Sequence, residues 1–218
     1  MEHTEVLSNV KAQHSHDLKD IEKLWLLLQT ISDLHECPCS LSITTLPEAT
    51  PHEGTPSSLE LPASIASRLE NHPKILESLS ICGTTLTGHL LPVITNGGNN
   101  KLPKVTLTRT PVNQDDLKIL AKLPKLQCVR LWYVQCNEPM FTFKEDEFRC
   151  LEYLLVEGSD LTNITFEDGA ARELKKMVLP FTSSGSISGV DRLLKLKELE
   201  LNRDSPACCY HHLTMPNK

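Results

Sequence analysis

Two groups of cysteine and histidine residues have side chains that could bind a metal ion. Cys208 and Cys209 stand close to His211 and His212, and a Cys-Pro-Cys string occupies residues 37–39. Zinc sites use such thiolates and imidazoles, but the backbone holds adjacent ligands too close together to spread them around one tetrahedral ion. The Cys-Pro-Cys string has no second pair at zinc-finger distance. We therefore expect no metal centre, and we interpret the C-terminal cluster as having no function.

Motifs for catalysis or for phosphate binding do not occur in the sequence. The string NGGNN at residues 96–100 lacks the Lys-Ser/Thr pair and the following helix of a phosphate-binding loop. No HExxH, GxSxG or HRD-type string is present, and no nucleophile–base pair can be named. We therefore expect no enzyme activity, no nucleotide binding and no cofactor.

The composition favours a soluble globular protein with a protein partner. The formal charge of −6 disfavours general binding to nucleic acid, which requires a basic surplus. The densest apolar run, LWLLL at residues 24–28, is far shorter than the roughly 20 residues that span a bilayer. The first residues lack the basic and apolar regions of a secretory signal. These features predict a cytoplasmic location, reduced cysteines, no membrane span and no nucleic-acid partner.

One six-residue phrase, with apolar residues at its first, fourth and sixth positions, recurs along the chain. Its copies are LESLSI (76–81), LPKVTL (102–107), LQCVRL (126–131), LEYLLV (151–156), LKKMVL (174–179) and LKELEL (196–201). Their last apolar residues are separated by 26, 24, 25, 23 and 22 residues. This spacing falls within the period of roughly 20–29 residues that is typical of leucine-rich repeats. The sequence therefore predicts an α/β leucine-rich-repeat solenoid, with a curved parallel β-sheet on the concave side and short helices and irregular segments on the convex side.

Alternation within the phrase separates two faces of each predicted strand. The last two apolar side chains point to one face, and the residue between them points to the other. We expect the following residues in the core: Leu107, Leu126, Val129, Leu131, Leu151, Leu154, Val156, Leu174, Leu179, Leu196, Leu199 and Leu201. The residues between the apolar pairs form a row on the opposite face: Ser80, Thr106, Arg130, Leu155, Val178 and Glu200.

This row turns bulky and apolar in its middle, where aromatic residues flank it. Interface residues that dominate binding are enriched in tryptophan, tyrosine and arginine. We therefore predict that a protein partner binds the concave face through Arg130, Trp132, Tyr133, Tyr153, Leu155 and Val178. The alternative is that some of these side chains pack against loops or form a second small core.

The segments around the repeats differ in pattern from the repeats themselves. Apolar residues at helical spacing in 17–35 predict a capping helix within an N-terminal entry segment, residues 1–35. The repeats then occupy 36–204. A degenerate copy of the phrase, CSLSI, ends at Ile43, and a proline-rich insertion loop at 47–62 lengthens the interval from Ile43 to Ile81 to 38 residues. Within a later repeat, Gln114–Leu123 has apolar residues three apart behind Asp115 and Asp116, which predicts a short helix. We expect residues 205–218 to form a disordered tail.

Several longer strings give the sequence a specific family resemblance. Among them are LAKLPKL (120–126), KEDEF (144–148), FEDGAA (166–171) followed by LKKMVL, and LLKLKELEL (193–201). LLQTISDLHE (27–36) and SLSITTLP (40–47) extend the likeness towards the N-terminus, so that it covers most of residues 5–202. The sequence resembles the leucine-rich-repeat region of cereal disease-resistance proteins of the coiled-coil, nucleotide-binding, leucine-rich-repeat class.

The resemblance implies a role in plant innate immunity. In that family the repeats sense pathogen effectors, directly or through guarded host proteins, and they restrain a nucleotide-binding domain. The 218 residues contain no coiled-coil or nucleotide-binding domain of that family. The function expected from the resemblance is therefore protein recognition in defence, and the partner is an effector, a guarded host protein or a receptor's nucleotide-binding domain. The alternatives are a truncated remnant, or a general protein-binding scaffold without a role in defence.

Overall fold

The structure is a computed structural model that describes residues 10–12, 39–45, 76–83, 102–136, 138–158, 160–180 and 186–202. These residues form twelve short strands, one α-helix, α1 (Gln114–Ala121), and one 3-10 helix (Val190–Arg192). The strands are β1 (Val10–Ala12), β2 (Cys39–Thr45), β3 (Leu76–Cys82), β4 (Lys104–Thr108), β5 (Pro111–Val112), β6 (Cys128–Cys136), β7 (Met140–Phe143), β8 (Tyr153–Gly158), β9 (Asn163–Phe166), β10 (Lys176–Pro180), β11 (Ser186–Ser188) and β12 (Glu198–Asn202).

A long parallel sheet is the main element of the structure. Its strands follow the order β1-β2-β3-β4-β6-β8-β10-β12, and β5 pairs with the C-terminal end of β6. Each strand therefore lies beside the strand of the preceding and the following repeat, which is the arrangement of a solenoid. The solenoid predicted from the period of the phrase is confirmed.

A repeated hydrogen-bond pattern sets the register of this sheet at the start of the strands. The carbonyl oxygen of Gln127 accepts hydrogen bonds from the N–H groups of Glu152 and Tyr153, at 2.8 and 3.0 Å. One repeat later, the carbonyl oxygen of Glu152 accepts from Lys175 and Lys176 at 2.9 and 3.0 Å. Because each repeat is bonded to the next at the same point, equivalent residues are aligned across the sheet.

The core lies on one face of the long sheet, where the apolar residues of the phrase stack on their equivalents. Nine of the twelve predicted core residues are buried there: Leu107, Leu126, Val129, Leu131, Leu151, Leu154, Val156, Leu174 and Leu179. The prediction was wrong for Leu199 and Leu201, which are 42% and 43% exposed, and Leu196 is only half-buried. These leucines belong to the last described repeat, so no further described strand covers them.

A second, three-stranded parallel sheet lies across the core, in the order β11-β9-β7. The apolar residues of this sheet stack in register, as Phe141 does on Ile164, and the rings of Phe143 and Phe166 stack with centroids 4.7 Å apart. The sequence predicts helices or irregular segments on the convex side. In the repeats that contain these three strands, a strand takes that place instead.

The predicted helix in residues 114–123 is confirmed as α1, which ends two residues earlier than expected. Its first turn is closed by a capping box, in which Asn113 Oδ1 accepts from the N–H of Asp116 and Asp116 Oδ2 accepts from the N–H of Asn113, both at 2.9 Å. The side chain of Gln114 then pairs with the backbone of Thr142, accepting from its N–H at 2.9 Å and donating to its carbonyl oxygen at 2.6 Å. This amide occupies the edge of β7, because the repeat that contains α1 contributes no described strand to the second sheet.

Several predicted segments lie outside the described residues. They are the capping helix in 17–35, the proline-rich insertion at 47–62, the tail at 205–218 with its cysteine–histidine cluster, and residues 37–38 of the Cys-Pro-Cys string, of which only Cys39, the first residue of β2, is described. The proposed domain boundaries at 35/36 and 204/205 also fall outside them and stay predictions.

Candidate functional site

The face of the long sheet opposite the core, which we call the open face, carries the predicted row of intervening residues. The register of successive strands places Ser80, Thr106, Arg130, Leu155, Val178 and Glu200 side by side. A second row, two residues earlier in each strand, contains Ser78, Lys104, Cys128, Tyr153, Lys176 and Glu198. The first row is small and polar at β3 and β4, bulky in its middle and charged at β12. The second row has a serine at β3, an aromatic residue at β8 and charged residues at β4, β10 and β12. The open face therefore changes character along its length.

Trp132 and Tyr133 lie where β6 bulges. The pairing of β6 with β8 shifts by one residue between Leu131 and Val134, and Tyr133 adopts a left-handed backbone with φ of 52°. Because a bulge interrupts the alternation of side chains, the two neighbouring rings can stack, with centroids 5.7 Å apart and planes inclined by 15°. The carbonyl oxygen of Trp132 accepts a hydrogen bond from the N–H of Arg109 at 3.0 Å, so the adjacent repeat anchors this backbone. The indole is 44% exposed.

Arg130 and Tyr153 form the second aromatic contact of the open face. The guanidinium carbon of Arg130 lies 5.2 Å from the centroid of the Tyr153 ring, which is within the range of a cation–π interaction. Arg130 Nε is buried and has no hydrogen-bond partner. Among the described residues no carboxylate is paired with this guanidinium. The half-buried arginine is therefore held in place by an aromatic ring and keeps its hydrogen-bonding capacity.

Leu155 and Val178 continue the row beyond Arg130, but they differ in exposure. Leu155 is half-buried, whereas Val178 is only 5% exposed. Val178 is also absent from the main hydrophobic cluster, as expected for a residue on the open face. Val178 is one of the contact residues that the sequence predicts. Its burial instead makes it a packed support beside Leu155, which is the alternative that the sequence left open for such side chains.

A charged cluster lies at the β10–β12 end of the open face and is not among the contact residues predicted from the sequence. Lys176 Nζ lies 2.9 Å from Glu198 and 2.5 Å from Glu200. Hydrogen bonds to Glu200 and Glu198 raise the pKa of Lys176 above its ordinary value, so the amine stays charged. The signal was present in the sequence, since all three residues occupy open-face positions of adjacent strands. Two carboxylates share one ammonium, which leaves the end of the open face with a net negative charge.

Cysteines and other possible metal ligands also occur in the described part of the chain. It contains no group of three or more His, Cys, Asp and Glu residues that could hold a metal ion. Cys136 is buried, and burial together with the negative charge of Asp160 raises the pKa of its thiol to about 12. A thiol with such a pKa is protonated near neutral pH and is a poor nucleophile.

Comparison with known proteins identifies the family. A family model described as "leucine-rich repeat region" matches residues 29–209. The chain belongs to the leucine-rich repeat family. Comparisons with curated proteins and with solved structures find no significant match. Leucine-rich repeat regions are protein-interaction scaffolds that present extended surfaces to a partner. Within the described ranges, no helix of this leucine-rich repeat region has the length and apolar character that crossing a membrane requires.

Proposed function

We propose that this leucine-rich repeat region is the protein-recognition module of a plant innate-immune receptor, and that the middle of its open face is the contact surface. The observation that carries the contact site is the group formed by Arg130, Trp132, Tyr153 and Leu155. Its members lie on the adjacent strands β6 and β8, and Tyr133 extends the group through its stack on Trp132. A large exposed indole beside an arginine is characteristic of the centre of a protein interface.

The chemistry of Arg130 defines one property of the partner. A guanidinium binds carboxylates through paired hydrogen bonds, and no carboxylate of the described residues occupies it. The Tyr153 ring covers one side of the guanidinium, and the exposed indole of Trp132, two residues after Arg130 on β6, offers an apolar surface. The partner would therefore place an aspartate or glutamate against Arg130 and an apolar side chain against Trp132.

The role in immunity is supported by the sequence strings in residues 117–201 that resemble those of cereal disease-resistance proteins. In receptors of that class, the repeats bind an effector or a guarded host protein and restrain the nucleotide-binding domain. We assign the same pair of roles to this region, and the nucleotide-binding domain is the partner that can be tested without knowledge of the pathogen.

A binding assay with a purified nucleotide-binding domain from a cereal receptor of this class tests the proposal. We expect saturable binding by biolayer interferometry, and we expect the Trp132→Ala/Tyr153→Ala double variant to weaken it by at least about 30-fold, since two anchors of this kind each contribute about 1–2 kcal/mol or more. Arg130→Gln removes a charge, so it should weaken binding more strongly at low salt than at high salt, where charges are screened.

The matched control is Thr106→Ala, which lies in the same row as Arg130 but outside the bulky group. Circular dichroism and thermal unfolding must be unchanged in every variant. Binding that survives the double variant would reject the contact site. Absence of binding to any such domain, with a different protein bound through the same residues, would instead favour the general scaffold without a role in defence.

A further inference from the structure

The β12 end of the long sheet leaves core positions uncovered. Leu199 pairs in register with Met177, and Leu201 pairs with Leu179. Met177 and Leu179 are fully buried, whereas Leu199 and Leu201 are 42% and 43% exposed. Leu194, in the turn before β12, is 91% exposed. The difference lies in the stacking, because the buried pair has a strand on both sides and the exposed pair has one described strand on one side only.

The backbone at this end is equally incomplete. Among the described strands, β12 pairs with β10 alone. The N–H and C=O groups on its other side can therefore accept another strand, as the edge of a sheet generally can. The uncovered leucines and this edge together fit one kind of occupant, namely a parallel strand with apolar residues beside Leu199 and Leu201. A strand of another leucine-rich repeat has that pattern.

Charge specifies the occupant further. On the open face, Glu198 and Glu200 border the free edge and share a single counter-ion, Lys176. Along the sheet, the basic Lys176 of β10 is followed by the acidic Glu198 and Glu200 of β12. An incoming strand with lysine or arginine beside these glutamates would continue this alternation of charge. A second copy of this chain that paired through its own β12 would bring glutamates against glutamates, and like charges on adjacent strands are destabilising. The edge therefore disfavours pairing with the β12 of a second copy and favours a basic strand.

We propose that the β12 edge is a second protein-binding surface, distinct from the middle of the open face, and that it binds a basic leucine-rich-repeat strand of another polypeptide by extending the sheet and the core. Apolar residues of that strand cover Leu199 and Leu201, and its basic residues pair with Glu198 and Glu200. This inference does not depend on a role in immunity or on the residues around Arg130.

A repeat-length peptide is the probe for this surface. A synthetic copy of residues 102–125 carries Val105 and Leu107 at the positions that would stack on Leu199 and Leu201. Its Lys104 would face Glu198, and a lysine in place of Thr106 would face Glu200. The control peptide has glutamate at both of these positions and is otherwise identical. Binding is followed by the methyl NMR signals of Leu199 and Leu201 in the full chain.

We expect saturable shifts of these methyl signals with the basic peptide, and at least tenfold weaker binding of the acidic peptide. The Leu199→Lys/Leu201→Lys variant should lose the interaction, while Trp132→Ala/Tyr153→Ala should retain it. Because both leucines are substantially exposed, the lysine variant should still fold; should it fail to fold, Glu198→Lys/Glu200→Lys gives the second test, since it should reverse the preference between the two peptides.

Three results would overturn the proposal. The first is equal binding of the basic and acidic peptides, or shifts that are confined to residues away from β12. The second is a dimer in sedimentation velocity at neutral pH that the lysine variant dissociates, because a second copy would then occupy the edge. The third is binding only after removal of residues 203–218, because this chain's own C-terminal segment would then be the occupant.

Discussion

Leu131 and Leu201 occupy the same position of the repeat, yet the structure predicts different costs for their truncation to alanine. Leu131 is fully buried and is paired in register with Leu107 on one side and Val156 on the other. Leu201 is 43% exposed and is paired with Leu179 alone. The two substitutions remove the same atoms from the same type of strand, so a comparison isolates the contribution of stacking.

The magnitudes follow from burial. Truncation of a fully buried leucine removes its transfer free energy and leaves a cavity, which together cost about 2–5 kcal/mol. Complete burial of a leucine contributes about 1.5–3 kcal/mol, and a little more than half of the Leu201 side chain is covered. Solvent can fill the space that Leu201→Ala creates, so no closed cavity is added. We therefore expect Leu201→Ala to cost about 1–1.5 kcal/mol.

Urea unfolding followed by far-UV circular dichroism measures both changes in the free energy of unfolding. Arg130→Ala is the control on the other face of β6, and it should cost less than about 1 kcal/mol because it opens no cavity in the core. Equal destabilisation by Leu131→Ala and Arg130→Ala would refute the assignment of the two faces. Equal destabilisation by Leu131→Ala and Leu201→Ala would refute the conclusion that the stack is open at β12.

Four further substitutions test the backbone, a buried hydroxyl and a buried carboxyl. Gly189 has φ of 75°, and a Cβ there would overlap the carbonyl oxygen of Phe166. Gly189→Ala should therefore lower the free energy of unfolding in urea by more than about 2 kcal/mol. Gly169 has φ of 79° but only a flexible arginine side chain nearby, so Gly169→Ala should cost about 1–2 kcal/mol. The hydroxyl of Thr110 is buried without a hydrogen-bond partner. Thr110→Val should therefore leave the free energy of unfolding unchanged or raise it by up to about 1–2 kcal/mol. A clear loss of stability would contradict this. Burial raises the pKa of Asp116, so the folded chain holds the proton more tightly than the unfolded chain. The stability of the parent relative to Asp116→Asn should therefore rise as the pH falls towards the ordinary aspartate pKa of about 3.9. This added stability should be lost as the pH rises. Unfolding curves of both proteins from pH 7 to pH 4 check the sign.

The register of the long sheet was predictable because two spacings agree in the sequence. The alternation within the phrase fixes which side chains share a face, and the interval between phrases fixes which residues are neighbours. Together they predicted the row from Ser80 to Glu200, which the strand pairing confirms. The same logic could have predicted the Lys176 cluster, since Glu198 and Glu200 follow at open-face positions one repeat later.

Other features depend on information that spacing does not contain. The strands β7, β9 and β11 are only three or four residues long, and short alternating strings such as NITF also occur in loops. The stack of Trp132 on Tyr133 depends on a bulge, which the sequence does not mark with a glycine. The exposure of Leu199 and Leu201 depends on what lies beyond them, and the phrase looks the same in the last described repeat as in the middle.

The pairing of each strand with only its immediate neighbours has a consequence for hydrogen exchange. In such a stack, local opening is governed by the interface between adjacent repeats, and it can begin at an end without disrupting the middle. Amide protons of β12 should therefore exchange faster than those of β6, β8 and β10. A ligand that contacts β6 and β8 together would join two repeats, and its binding would slow exchange in both. A ligand that extends the sheet at β12 would instead slow exchange at the end of the stack, which allows the two modes of binding to be distinguished from the distribution of protection alone.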